Sequence, residues 1–458
     1  MPSPPTPDLA LALAAIVGTE HAIVDADIIA SYVTDWTGRF HGDALAVVRP
    51  HTVAEVAAVV RWCATNGVAI TTQGGNTSLV AGAVPRQSVV LLTRGLADVG
   101  ALDLDAGQIT VGAGVTLAAV HAAVAGSGWE FGVDLGARDT ATIGGMVATN
   151  AGGIRVVRHG TMRANLVGTE AVLGTGDIVS HLGGLAKDNT GYELGALLCG
   201  SEGTLGIVTA ARLRMVRSLA ERVVALVGLA SVADAVALAG HLRRTIDSLE
   251  ALEVMVAPAM AVVAEHLETS APFADAGAVL LVEAAADHDP TDALAAALDG
   301  RDAVVATDRA GRARLWRYRE SQTEAIGQRG VPHKLDVSVP LAVTASFVDD
   351  VMALGRDHGA EVFVFGHLGD GNLHVNLLGP ASDDERLDEL VLQLVASRDG
   401  SISAEHGIGR AKPQWLHLNR SPAELDAFRR VKAALDPAGI LNPGVLLPDL
   451  RNPSSEDE

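Results

Sequence analysis

Two histidines flank a sharp turn signal in the run Phe363-Val364-Phe365-Gly366-His367-Leu368-Gly369-Asp370-Gly371-Asn372-Leu373-His374-Val375-Asn376. Asp-Gly is a favoured two-residue hairpin turn. With Asp370-Gly371 at its centre, position 369 faces 372 and 367 faces 374. That predicts two directly opposed imidazoles with Cβ atoms about 4.5–5.5 Å apart. Asn376, two residues on, shares their face. Two imidazoles so held suit a divalent metal, and a carboxylate would complete the set. The candidate is Glu405, in Gly400-Ser401-Ile402-Ser403-Ala404-Glu405-His406-Gly407. It directly precedes His406, and Gly407 and Gly409 permit close backbone approach. A lone histidine is ordinarily a surface or satisfied core residue. The turn-imposed pairing and the nearby Glu-His dipeptide set these apart.

A second kind of chemistry is written in three glycine loops. They are Gln73-Gly74-Gly75-Asn76-Thr77-Ser78, Ile143-Gly144-Gly145 through Asn150-Ala151-Gly152-Gly153, and Gly200-Ser201-Glu202-Gly203-Thr204-Leu205-Gly206. Paired glycines after a strand let successive backbone N–H groups converge into a nest for phosphate oxygens, with the hydroxyls of Thr77 and Ser78 beside it. A single such loop could be a tight turn; three between Gln73 and Gly206 point to a diphosphate cofactor. A nicotinamide fold needs G-x-G-x-x-G. Gly112-Ala113-Gly114 and Gly174-Thr175-Gly176 both lack the third glycine, so that reading is rejected.

A third set is cationic. Leu315 to Thr323 reads as a helix on which Arg319 and Thr323, i and i+4, share a face. A guanidinium suits bidentate carboxylate binding. Lys334 enters a strand, unusual in a chain with four lysines beside 30 arginines. A second cationic group suits a dicarboxylate.

The elements that must position these groups are legible in outline. Thr52-Val53-Ala54-Glu55 opens a helix with a capping-box pattern, and Gly67 is a good stop. Val68 to Thr72, Ser88 to Leu92 and Gln108 to Val111 read as strands, and Thr116 to Ala125 as a helix. After about Arg217 the texture changes. Strand-like Val223 to Leu229, Ala278 to Glu283, Ala303 to Thr307, Lys334 to Val339, Glu361 to Phe365 and Leu373 to Leu377 alternate with Ala-rich helices, which predicts a separate α+β domain with a largely antiparallel sheet. A last helix, about Pro422 to Leu435, precedes a charged tail, Ser454 to Glu458, expected to fray.

Composition bounds the rest. The chain has 458 residues, 48% of them hydrophobic, and a formal charge of −21. Length and apolar content fit two or three folded domains. Two cysteines, Cys63 and Cys199, exclude a disulfide scaffold and Cys-rich metal modules. The acidic balance argues against nucleic acid. The first Lys or Arg is Arg39, so no charged n-region precedes the apolar Leu9 to Val17. No apolar run reaches the ~18 residues of a membrane helix. A cytoplasmic protein without a transmembrane segment is expected.

The run from Pro50 to Arg217, with QGGNTSL, TIGGMVATNAGG and GSEGTLGIVT, resembles the flavin-binding domain of the vanillyl-alcohol-oxidase/PCMH superfamily. The resemblance implies FAD. Gly74, Gly75, Asn76, Thr77 and Ser78 would meet the pyrophosphate. Thr142, Gly144, Gly145, Thr149 and Asn150 would line the flavin chain. Glu202 and Ile207 would sit at the adenine-ribose side, and Asn442 also joins the cofactor set. Met146 departs from relatives that often have Asn there. No His or Cys lies in Gln73 to Leu79, so FAD is expected to be noncovalent.

The second half is similar to the cap of FAD-linked 2-hydroxy acid dehydrogenases through H-x-x-D-G-N-x-H, the Glu-His dipeptide and Gly439-Ile440-Leu441-Asn442-Pro443-Gly444. In the D-2-hydroxyglutarate branch this pattern implies zinc or manganese on His367, His374 and Glu405, His406 as base, and substrate on Arg319, Thr323, Lys334 and Asn376. The implied fold class is α+β: a PCMH-type FAD-binding domain of two α+β subdomains in 1–217, a mainly antiparallel cap in 218–420, and a C-terminal return to the FAD domain in 421–458. The implied reaction is oxidation of a D-2-hydroxy acid, with D-lactate and glycolate as alternatives to D-2-hydroxyglutarate. A metal hydrolase, which would be colourless, and a non-catalytic flavin subunit are the competing classes. Oxygen, quinone or a partner flavoprotein could accept the electrons, and a homodimer is compatible.

Overall fold

The structure is a computed structural model that describes residues 7–185 and 187–448; the tail from Ser454 to Glu458 lies outside them. The chain divides into two compact units, one formed by 1–151, 161–217 and 406–458, the other by 152–160 and 218–405. The third segment of the first unit thus begins at His406, where 421 was expected. The cause is visible in the contacts: the Glu202 carboxylate accepts from the backbone N–H groups of Ile408 and Gly409 at 2.8 and 2.7 Å.

The first unit holds two sheets with helices. One runs Ala22–Ile23, Asp43–Val48, Arg86–Leu92, Ala69–Gln73, its last three strands parallel. The other is antiparallel, in the order Gln108–Gly112, Ile207–Arg217, Leu166–Val172, Ile178–His181, with Trp129–Phe131 paired to Ile207–Arg217. Local signals set the helix ends. Thr52 and Glu55 form the reciprocal capping box of the Val53–Asn66 helix, and Gly67 closes it in the left-handed region at φ 66°. Val56, Val59, Val60 and Cys63 on its inner face are wholly buried in one core with Ile70, Ile143 and Ile207. Thr116 caps the Leu117–Val124 helix.

The second unit is built on a seven-stranded sheet, every neighbouring pair antiparallel. Its order is Ala303–Ala306, Glu221–Leu229, Ala278–Ala286, Leu249–Val256, Glu361–His367, Asn372–Leu378, His333–Ser338. The helices Ala257–His266, Arg309–Glu320 and Gln322–Arg329 share an apolar core with Phe363, Phe365 and Met255 of the sheet. Side chains alternate across a strand. Phe363, Phe365 and His367 therefore share a face, as do Asn372, His374 and Asn376, and as do Lys334, Asp336 and Ser338. The register pairs Phe365 with His374, His367 with Asn372, Asp336 with His374, and Lys334 with Asn376. These nine side chains thus occupy one face.

Candidate active site

The hairpin differs from the two-residue turn expected at Asp370-Gly371. Its loop has four residues, 368–371, closed by the Gly371 N–H donating to the His367 carbonyl at 3.1 Å. His367 consequently pairs with Asn372 and His374 with Phe365. The two histidines are diagonal neighbours, not directly opposed. The slip is two residues, so the face is preserved. The imidazole centroids stand 5.3 Å apart, nearly perpendicular.

Glu405 reaches the same place. Its Oε1 lies 3.5 Å from His367 Nε2 and accepts from the Gly153 N–H at 2.8 Å. Its own N–H donates to Asp336 at 2.6 Å. His367, His374 and Glu405 each offer one ligand atom, all within 4.8 Å of one another.

What surrounds the trio matters as much. His367 Nδ1 is 2.7 Å from Glu253 Oε1, which places a proton on Nδ1 and turns Nε2 towards Glu405. His374 Nδ1 lies 3.4 Å from Asp336 Oδ1. A carboxylate behind each imidazole is the outer shell that orients metal-ligating histidines. Burial pulls the His367 imidazole down, but the charges of Glu253 and Glu405 outweigh it and raise it to about 9. Burial pulls His374 below the ordinary histidine range. Burial also works against ionised Glu253, yet His367 and Arg319 hold its carboxyl below the usual range.

Glu253 was not singled out from sequence. It is wholly buried in the strand Leu249–Val256, whose two glutamates interrupt an apolar run. Arg319 donates Nε to it at 2.6 Å, with the guanidinium 4.7 Å from the Phe365 ring centroid. Arg319 is therefore paired within the protein through Nε. The helix carrying it ends at Glu320, and Thr323 belongs to the next helix, Gln322–Arg329, so the continuous helix expected through 315–323 is interrupted at Ser321. Lys334 is half-buried and in register with Asn376. Asn376 directs Nδ2 at the Phe363 and His374 carbonyls, each at 3.4 Å.

In the first unit the glycine loops are tight. A Cβ at Gly74 would stand 2.2 Å from Thr142 Oγ1, and one at Gly75 would stand 2.0 Å from the Thr140 carbonyl oxygen. A Cβ at Gly144 would fall 2.6 Å from that of Ala113. Asn76 and Asn150 both adopt the left-handed region. Asn76 Nδ2 donates to the Thr34 carbonyl, and Asn150 Oδ1 accepts from Thr161 and Arg163. Thr149 Oγ1 donates back to the Gly145 carbonyl, and Ser78 Oγ accepts from the Val80 N–H. Thr77 is half-buried beside them. The hydroxyls of Thr72, Thr93 and Thr142 are buried with no protein hydrogen bond. A glycine cradle beside three unpaired hydroxyls fits a polar phosphate-bearing cofactor.

Three residues expected at the cofactor have other engagements. Both Glu202 oxygens are taken by the Ile408 and Gly409 N–H groups. Ile207 is wholly buried in the core, which leaves only its backbone for a cofactor. Asn442 accepts from the Thr72 N–H and donates to the Glu202 carbonyl, at 2.8 and 2.7 Å. His406 is half-buried and is the first residue of the third segment of the first unit.

Comparison with known proteins agrees with this architecture. Residues 44–181 match the FAD binding domain family, and 218–446 match the C-terminal domain of FAD linked oxidases. Among solved structures, p-cresol methylhydroxylase with substrate bound superposes with a TM-score of 0.79 at 16% identity, covering 97% of each chain. The 4-ethylphenol oxidase of Gulosibacter chungangensis gives 0.75 at 18%, covering 96% of this chain and 97% of that one. The family matches define the class, an FAD-linked oxidoreductase, and the superpositions give its fold, a PCMH-type flavin domain with an antiparallel cap. A D-2-hydroxyglutarate dehydrogenase of Xanthomonas citri pv. viticola is 38% identical over 438 residues, 91% of this chain and 92% of that protein. The mitochondrial D-2-hydroxyglutarate dehydrogenase of Bos taurus is 36% identical over 428 residues, 90% and 79% of the two chains. The chain belongs to the D-2-hydroxyglutarate dehydrogenase family. Among the described residues, no helix is long and apolar enough to cross a membrane.

Proposed function

We propose that this enzyme oxidises D-2-hydroxyglutarate to 2-oxoglutarate with noncovalent FAD and a divalent metal, zinc or manganese, on His367, His374 and Glu405. The observation that carries the reading is the three ligand atoms within 4.8 Å of one another, on a sheet face that also bears Lys334 and Asn376. The donor set fits a divalent ion, because two imidazoles and a carboxylate are the ligands zinc and manganese accept. When bound, the metal supplies Lewis-acid polarisation and FAD supplies a hydride acceptor.

The chain's own residues do the rest. Glu253 and Asp336 fix the two imidazoles from behind. Lys334 meets the distal carboxylate of the substrate, with Asn376 and Thr323 beside it. The terminal Nη groups of Arg319 add a second cationic contact while Nε stays on Glu253. His406 accepts the hydroxyl proton as general base, a task to which an imidazole is suited. The flavin is held by the glycine cradle of residues 74–78 and 142–150, in the segment 1–217. Residues 218–405 supply the substrate side, and the segment from His406 belongs with the flavin side.

Anaerobic mixing with a panel of D-2-hydroxy acids tests the proposal. D-2-hydroxyglutarate should bleach the flavin faster than D-lactate or glycolate. Faster bleaching by either monocarboxylate would overturn the substrate assignment, and a colourless preparation would overturn the flavin one. The same proposal puts the enzyme in the cytoplasm, with oxygen, a quinone or a partner flavoprotein as electron acceptor; cell fractionation and an acceptor screen test these parts.

A further inference from the structure

Asn372 opens the second strand of the histidine hairpin. It pairs with His367 on one side and with Ser338 on the other, and directly opposed residues have Cβ atoms about 4.5–5.5 Å apart. It shares its face with His374 and Asn376. The residue is 4% exposed, yet neither Oδ1 nor Nδ2 has a hydrogen-bond partner in the protein. Its backbone is satisfied differently, the N–H donating to Asp370. Asn376, two positions on, places its Nδ2 against two carbonyls. The unmet amide is therefore peculiar to 372 and not a property of the strand.

A buried amide with donor and acceptor both unmet is costly unless a ligand meets them. The amide edge offers an N–H beside a carbonyl oxygen. A 2-hydroxy carboxylate offers the complement: a carboxylate oxygen that accepts and a neighbouring hydroxyl that donates. We infer that Asn372 is a substrate-binding residue that recognises this pair in the resting complex, Nδ2 donating to the C1 carboxylate and Oδ1 accepting from the C2 hydroxyl before that hydrogen turns to the base, His406. Oxidation removes the hydroxyl hydrogen. Oδ1 then faces a ketone oxygen, two acceptors together, and the contact turns from attractive to repulsive. Asn372 thus favours hydroxy acid over oxo acid and helps release product. The inference rests on the proposed 2-hydroxy acid site and adds the discrimination between substrate and product.

The test compares wild type with Asn372→Ala and Asn372→Asp. Flavin reduction by D-2-hydroxyglutarate is followed anaerobically, and 2-oxoglutarate binding is followed by the perturbation of the flavin spectrum. Asn372→Ala should weaken hydroxy acid binding about tenfold and leave oxo acid binding within about twofold. Asn372→Asp should weaken hydroxy acid binding further, since it sets a carboxylate against a carboxylate. The thermal midpoint of Asn372→Ala should equal or exceed that of wild type, because an unmet amide is removed. Equal loss for both acids, no loss for either, or a lowered midpoint would each overturn the inference. If wild type itself reduces its flavin with no 2-hydroxy acid, the site reading fails; if wild type reacts and the variants match it, only the role of Asn372 fails.

Discussion

The Nδ1 of His367 lies 2.7 Å from the Oε1 of Glu253, on the neighbouring strand, and the same carboxylate takes Arg319 Nε at 2.6 Å. One buried acid thus neutralises a cation and fixes an imidazole tautomer. Glu253→Gln removes the charge and leaves Arg319 uncompensated, the kind of change that costs about 3–5 kcal/mol. The urea midpoint should fall accordingly, and metal affinity should drop about 10–100-fold. A variant as stable as wild type with unchanged metal binding would contradict this.

Glu202 gives a pH dependence of known sign. Burial lifts its carboxyl from 4.5 to about 6, against the pull of the Ile408 and Gly409 N–H groups and Lys412. Between those two values the folded state holds more protons than the unfolded chain. Stability therefore falls as pH rises through that window, by about 2 kcal/mol in all. Glu202→Gln should flatten this slope in denaturation curves taken from pH 4 to 7. An unchanged slope would assign it to other groups.

Gly75→Ala should empty the flavin site, since the added methyl meets the Thr140 carbonyl oxygen at 2.0 Å. Gly136→Ala, where a Cβ meets nothing within 4 Å, serves as the control. The measurement is flavin absorbance per mole of purified protein. Full yellow colour in Gly75→Ala would show that the loop can shift.

His406→Ala should lower turnover about 10²–10⁴-fold with the flavin still bound. Loss of the yellow colour in this variant would point to a structural role instead.

Exhaustive chelation should abolish activity, and zinc or manganese should restore it. His374→Ala should take up neither ion at stoichiometric concentration, as read by elemental analysis. Full turnover by chelated wild type would remove the metal from the reaction.

What the sequence makes legible is what local chemistry decides. The capping box at Thr52, the stop at Gly67 and the Pro422–Leu435 helix, with its Ser421–Glu424 box, each follow from a few adjacent residues. The glycine loops were visible for the same reason. The strand Leu249–Val256 was not, because acidic residues at 250 and 253 break up the apolar run that marks a buried strand. Their partners explain the burial: Arg155, Arg158 and Arg222 for Glu250, and Arg319 and His367, distant in sequence by 66 and 114 positions, for Glu253. No nearby residue advertises such pairing. The hairpin register was missed because Asp-Gly marks where a chain turns without stating how many residues the turn consumes.

The four-residue loop at 368–371 imposes a rule of parity. Gaining or losing a pair of ladder positions there would keep both imidazoles on the same side of the sheet. A change by one would send one of them through to the opposite layer, among Val364, Val375 and Leu335. An odd slip of this ladder therefore separates the two imidazoles unless a bulge absorbs it.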